Sequence, residues 1–228
     1  MKTNIVVGMF LLFLTPLGFS QSFINLNFES ARIVPTENGW PQIETTNALP
    51  GWTVLIGGSQ ITTITYNAQA VGGTWVSIDA TNGLQISGRD SVFLQGGFYP
   101  FTAPTAAISQ TGLIPISAVS LLFQAQPGPG DLEVSFGSQV LSVFALSTGP
   151  NYTLYGADIS AFAGQTNALT FSALQNLNAY NGWRIDNIQF STNAVPEPSM
   201  FALIGLGGVL LGFRRWKKRT ITRAASSK

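Results

Sequence analysis

The side chains able to do acid–base or nucleophilic chemistry are few in this chain, and two kinds are missing altogether. Its 228 residues include neither histidine nor cysteine. That excludes imidazole catalysis, Ser-His-Asp triads, His-ligated zinc and every thiolate nucleophile or ligand. What remains is carboxylate: Glu37, Glu44, Asp79, Asp90, Asp131, Glu133 and Asp158. Two carboxylates flanking a glycosidic bond make a glycosidase, but these seven fall in no recognisable motif. Asp131 after Pro129-Gly130 reads as a turn residue. Ser59, Ser87 and Ser109 have no neighbouring base. Gly57-Gly58 and Gly72-Gly73 lead into strands and form no phosphate cradle. The expectation is a protein that is not an enzyme, with a carboxylate-dependent glycoside hydrolase as the alternative.

Binding asks for less. Aromatic faces stack on sugar rings while amides and charged groups bond hydroxyls. Trp40, Trp75, Tyr99, Tyr155 and Tyr180 stand near turns or strand ends, with Asn67, Arg89 and Asn178 beside them. Trp52 and Trp183 read as core. Trp75 also reads as core, because it alternates with Val76 and Ile78. Trp40 beside Pro41 is the candidate ligand contact.

The elements that must position these residues are strands. Short runs of β-branched and aromatic residues at period two recur: 23–28, 52–56, 61–66, 74–78, 92–95, 107–110, 119–125, 132–136, 140–146, 152–155, 169–174 and 183–190. Turn pairs such as Pro50-Gly51, Gly57-Gly58, Asn82-Gly83 and Pro127-Gly128 separate them. No long amphipathic helix interrupts, although 160–164 can make one helical turn. No fixed repeat points to a propeller or solenoid. The expected fold is all-β, a β-sandwich or jelly roll over residues 21–193.

Both ends read as targeting segments. Lys2, the apolar stretch 5–14, the break at Pro16 and the small residues Gly18 and Ser20 have the layout of a signal peptide over 1–20. Near the other end come Val195-Pro196-Glu197-Pro198-Ser199, an apolar run 200–213, and the basic cluster Arg214, Arg215, Lys217, Lys218 and Arg219. The prolines keep the first block extended. The apolar run suits a short transmembrane helix, though at ~1.5 Å per residue it reaches only about 21 Å against a hydrocarbon core of ~30 Å. The cations stop translocation and mark the cytoplasmic side, leaving 220–228 as a cytoplasmic tail. Charge is segregated accordingly. Between the two targeting segments stand three arginines against nine acids, a net charge of −6. Such a body is no nucleic-acid binder, because it lacks a basic stripe to neutralise phosphates.

The order of the C-terminal blocks over 194–219 resembles the PEP-CTERM sorting signal, also catalogued as an ice-binding-protein C-terminal domain. That resemblance implies export, a transient stay in the inner membrane, and processing by an exosortase-like enzyme before release to the cell surface or extracellular matrix. The body carries a second resemblance. Asn27-Phe28-Glu29 with Leu49-Pro50-Gly51-Trp52, and the closing Trp183-Arg184-Ile185-Asp186-Asn187-Ile188, look like the ends of galactose-binding-like jelly rolls found in carbohydrate-binding modules. It implies adjacent first and last strands, and a structural Ca²⁺ for which Glu29 and Asp186 would supply oxygens. Without a cation, Glu29 pairs with Arg32 or Arg184 and Asp186 caps a turn.

Three functions fit these readings. The sandwich binds extracellular polysaccharide, or it is a structural or adhesive surface protein with protein partners, or it binds ice. Thr62, Thr63 and Thr65 make one threonine-rich strand, which is not the ladder that ice would need.

Overall fold

A computed structural model describes residues 21–36, 41–68, 73–81, 83–97, 105–176 and 181–195. The expected signal peptide and transmembrane run lie outside them. Among the described residues, fourteen strands form two sheets. The larger combines β1 (Gln42–Glu44), β4 (Thr63–Tyr66), β5 (Trp75–Ala80), β6 (Asp90–Gly96), β8 (Ser120–Gln126), β11 (Phe144–Thr148), β12 (Thr153–Asp158) and β14 (Asn181–Ser191). Their order is β1-β4-β5-β6-β14-β8-β12-β11. The smaller comprises β2 (Thr53–Ile56), β3 (Ser59–Ile61), β7 (Ala106–Leu113), β9 (Leu132–Phe136), β10 (Gln139–Val140) and β13 (Thr166–Ala173), in the order β10-β9-β13-β7-β2-β3. Pairing is antiparallel except between β4 and β5. One short helix, α1 (Thr45–Ala48), and a 3₁₀ turn over Ser160–Phe162 complete the described elements. The all-β sandwich is as the alternation requires.

Period-two side chains from both sheets meet in one core. Val76, Ile78, Val92, Leu94, Leu121, Phe123 and Ile185 from the larger sheet pack on Val54, Ile108, Val134, Leu169 and Phe171 from the smaller. The Phe123 ring meets Phe171 edge-on at 5.1 Å between centroids. Trp52 and Trp183 are buried as expected.

Three expected strands come out differently. Residues 23–28 make no strand; the isolated bridge from Ser22 to Leu113 lies just before them. Asn25 and Phe28 take positive φ and turn the chain. The Asn25 side-chain oxygen accepts from the Ser30 amide, an alternative to a ladder. Gln110 stands in for the missing neighbour: its Oε1 accepts from Ile24 N at 2.6 Å and its Nε2 donates to Ile24 O. The runs 61–66 and 140–146 each divide between the sheets. β3 and β10 belong to the smaller sheet, β4 and β11 to the larger, so one β-forming stretch serves both. β1 is an element that the alternation did not reveal.

Candidate functional site

Alternation on the larger sheet has a second consequence. While Val76, Ile78, Val92, Leu94 and Ile185 face the core, Ser77, Asp79, Ser91, Phe93, Arg184 and Asp186 take the opposite face. Register aligns Ser77, Phe93, Arg184 and Gln126 across four neighbouring strands. Arg184 is the centre of this row. Its Nε donates to Asp79 Oδ2 at 2.5 Å and its Nη1 to Gln126 Oε1 at 2.7 Å. Its guanidinium lies 5.1 Å from the Phe93 ring centroid, within cation–π range. Arg184 Nη2 is buried with no hydrogen-bond partner. Beyond it, half-buried Asn187 donates to Gln124 Oε1 at 3.0 Å. A bulge between Asp186 and Gln189, with Asn187 at positive φ, returns Ile188 to the core.

Glu29 and Asp186 both grip the loop that leads into β6. Glu29 Oε1 accepts from the Arg89 and Asp90 amides at 2.7 and 3.1 Å. Asp186 Oδ2 accepts from Ser87 N and Ser91 Oγ at 3.1 and 3.0 Å, and Oδ1 from Asn187 N. Burial pushes the Asp186 carboxyl up to about 7; those hydrogen bonds oppose the shift and the Glu29 charge adds to it. Burial also raises Asp90, against the pull of Arg89. Ile188 N donates to Leu26 O, so the N-terminal segment does lie beside the last strand. The alternatives of Glu29 pairing with Arg32 or Arg184 are not what forms.

Calcium takes six to eight oxygens. Here Arg89 Nη2 already donates to the carbonyls of Glu29 and Ala31, both at 3.1 Å, and loop amides occupy the carboxylates. Among the described residues, no group of three or more acidic side chains could hold a metal. Together these contacts make a hydrogen-bonded clasp in which the oxygens of Glu29, Ala31 and Asp186 already have donors. Sequence reasoning missed Arg89, Ser87 and Ser91 as the partners, because they stand 60 to 99 residues away in sequence from the carboxylates they bond.

Trp75 corrects another reading. Its neighbours Val76 and Ile78 fill the core, whereas Trp75 is half-buried and donates from Nε1 to Thr65 Oγ1 at 2.5 Å. It lines a crevice of about 160 Å³ with Gln42, Ile56, Ile61, Thr63 and Val76. Trp40 lies outside the described residues.

Val195 is the last described residue, and it is packed. A side chain on Gly156 would meet Val195 Cγ2 at 2.8 Å, so that glycine makes its seat. Ser120 Oγ donates to Asn193 O at 2.7 Å and Val119 N to Ser191 O at 2.8 Å. Pro196, Glu197, Pro198, Ser199 and the basic cluster lie outside the described residues. Their sequence matches the family model described as the PEP-CTERM protein-sorting motif over residues 194–219. This chain carries a PEP-CTERM sorting motif. The matched stretch thus begins at Ala194, where the folded body ends.

No curated protein matches the chain. Solved structures similar to it include a variant family 29 carbohydrate-binding module, with 15% identity and a TM-score of 0.33, covering 64% of this chain and 98% of that one. Another is the family 11 carbohydrate-binding module from Clostridium thermocellum in complex with a β-1,3-1,4-mixed-linked tetrasaccharide, with 11% identity and a TM-score of 0.35, covering 69% and 97%. A third is the K2 cleaved adhesin domain of Lys-gingipain, with 17% identity and a TM-score of 0.35, covering 72% and 96%. Scores this low carry neither a ligand nor a residue to this chain.

Proposed function

We propose that this PEP-CTERM protein is exported, held briefly in the inner membrane by 200–213, and processed near Pro196-Glu197-Pro198 by an exosortase-like enzyme. Its sandwich then serves at the cell surface or in the extracellular matrix as a non-catalytic domain that binds polysaccharide. The observation that carries the sorting part is the family match over 194–219, beginning where the folded body ends. Mass spectrometry of the mature C-terminus from the native host tests it. The expected product ends near residue 197; an intact Lys228 on a secreted molecule sinks it.

The binding part is supported by chemistry. A body of net charge −6 with half-buried Gln124, Gln126 and Asn187 on one sheet face suits neutral hydroxyls better than phosphates. Catalysis is disfavoured because the acids of that face are engaged: Asp79 by Arg184, Asp186 and Glu29 by the loop before β6. A structural or adhesive protein with protein partners is the second reading. Glycan-array binding that is lost in Gln126→Ala and Asn187→Ala supports the first; an array without signal favours the second.

A further inference from the structure

Both ends of the described chain leave the sandwich at one end. β7 and β13 pair Leu113 with Thr166 there, and β8 and β12 pair Ser120 with Asp158. Ser22 bridges Leu113, and Ser191 to Val195 run past the start of β8. Val195 forms part of the wall of an open crevice of about 500 Å³, with Val140, Leu141, Phe144, Asp158 and Phe162. Two large apolar side chains stand exposed at this end of the sandwich. Val140 is 51% exposed, and Ile116 is 87% exposed beside Gly164, next to the 3₁₀ turn. Of the acids at this end, Asp158 is held below the usual carboxylate range by the Ser160 amide, so it stays charged.

The tether beyond Val195 is short. Only residues 196–199 separate it from the apolar run that starts at Met200. Five Cα steps span at most ~17 Å when fully extended. The headgroup layer takes roughly 5–8 Å of that on each side of the bilayer. A 14-residue apolar helix falls about 9 Å short of the hydrocarbon thickness, which draws the tether further inward. Only a few ångströms, at most about 8 Å, remain for the domain to stand off. The opposite end, with the β2–β3 turn, is a β7 length away, about 23 Å by strand rise.

We propose that the end bearing Ile116, Val140 and the Val195 crevice rests on the lipid headgroups of the bilayer while the tail is inserted. This rests on the sorting reading of residues 200–213. The domain is then docked in one orientation, with the opposite end directed outward.

The absence of cysteine makes the test clean. Ile116→Cys, Val140→Cys and, at the far end, exposed Ser59→Cys are placed singly in the full-length chain. Each is reconstituted in phosphatidylethanolamine/phosphatidylglycerol vesicles without processing enzyme. Labelling by a membrane-impermeant maleimide is compared with the same chain carrying a Gly/Ser spacer of about 12 residues after Val195, which adds ~19 Å of reach. Labelling at 116 and 140 is expected to be several-fold slower without the spacer, and at 59 unchanged. Equal rates in a chain that resists alkaline carbonate extraction overturn the docking while leaving the tail reading intact. A chain that washes out in carbonate overturns both. Protection only in native membranes containing the enzyme overturns the lipid contact in favour of the enzyme as partner.

Discussion

Arg184 and Asp79 form a buried ion pair on the face of the larger sheet that looks away from the core, 105 residues apart in sequence and on strands separated by β6. Asp79 is fully buried and Arg184 is 8% exposed. Removing one partner leaves an uncompensated charge, which costs roughly 3–5 kcal/mol, whereas replacing both with apolar residues of similar volume is often nearly neutral. Arg184→Met and Asp79→Leu are each expected to lower stability by about 3 kcal/mol in urea unfolding, with the double variant closer to wild type than either. Additive losses would show that the two side chains do not act as a pair.

Gly88 sits at the Glu29 clasp with φ +62, and a Cβ there would fall on Glu29 Oε1. Gly58 has φ +80 and open space around it. Alanine at either position carries the left-handed penalty of about 1–2 kcal/mol. Only Gly88→Ala also expels the Glu29 carboxylate from the Arg89 and Asp90 amides. Thermal unfolding is therefore expected to show a larger loss for Gly88→Ala than for Gly58→Ala. Equal losses would mean that the Glu29 contacts add nothing.

Elements with one buried face were legible because alternation writes that face into the sequence, as in Leu132–Phe136, predicted to the residue. Runs that switch sheets, 61–66 and 140–146, read as single strands because both halves are rich in β-branched and aromatic or aliphatic residues. Alternation cannot say which sheet receives each half. The site was less legible. Glu29 and Asp186 were singled out, yet the loop that joins them lies 60 and 99 residues away in sequence, through Arg89 and Ser87. Only the fold brings those amides to the carboxylates. Gly156 and Val195 lie 39 positions apart, and nothing in either residue type announces their contact.

Asp186 gives the protein a pH dependence of unusual sign. Its carboxyl titrates at about 7 in the folded chain, against ~3.9 when unfolded. The folded state therefore binds the extra proton between those values, and stability falls as pH rises through that window. The contribution is fully present below pH ~4 and is lost as pH passes ~7. Protonated Asp186 keeps its bond to Ser91 by donating to Oγ in place of accepting. The wild type minus Asp186→Asn stability difference should fall by a few kcal/mol, as an order of magnitude, between pH 4 and 8. Chemical denaturation at stepped pH measures it. A flat difference would place the carboxyl at an ordinary value.

Calcium should leave the domain unmoved. A ligand at a hundred times its Kd stabilises the folded state by about 2.7 kcal/mol, which raises Tm by roughly 5–10 °C for a domain of this size. The oxygens available at Glu29 and Asp186 face competing donors: the Arg89 guanidinium at two carbonyls, four backbone amides and the Ser91 hydroxyl. A cation would have to displace Arg89 and turn those amides away. After chelation, millimolar Ca²⁺ is expected to leave the wild-type melting curve in place. Arg89→Ser is expected to melt lower, because it strands the carbonyls of Glu29 and Ala31 without their donor. A calcium-dependent rise in wild type, abolished by Asp186→Asn, would replace the clasp with a metal site.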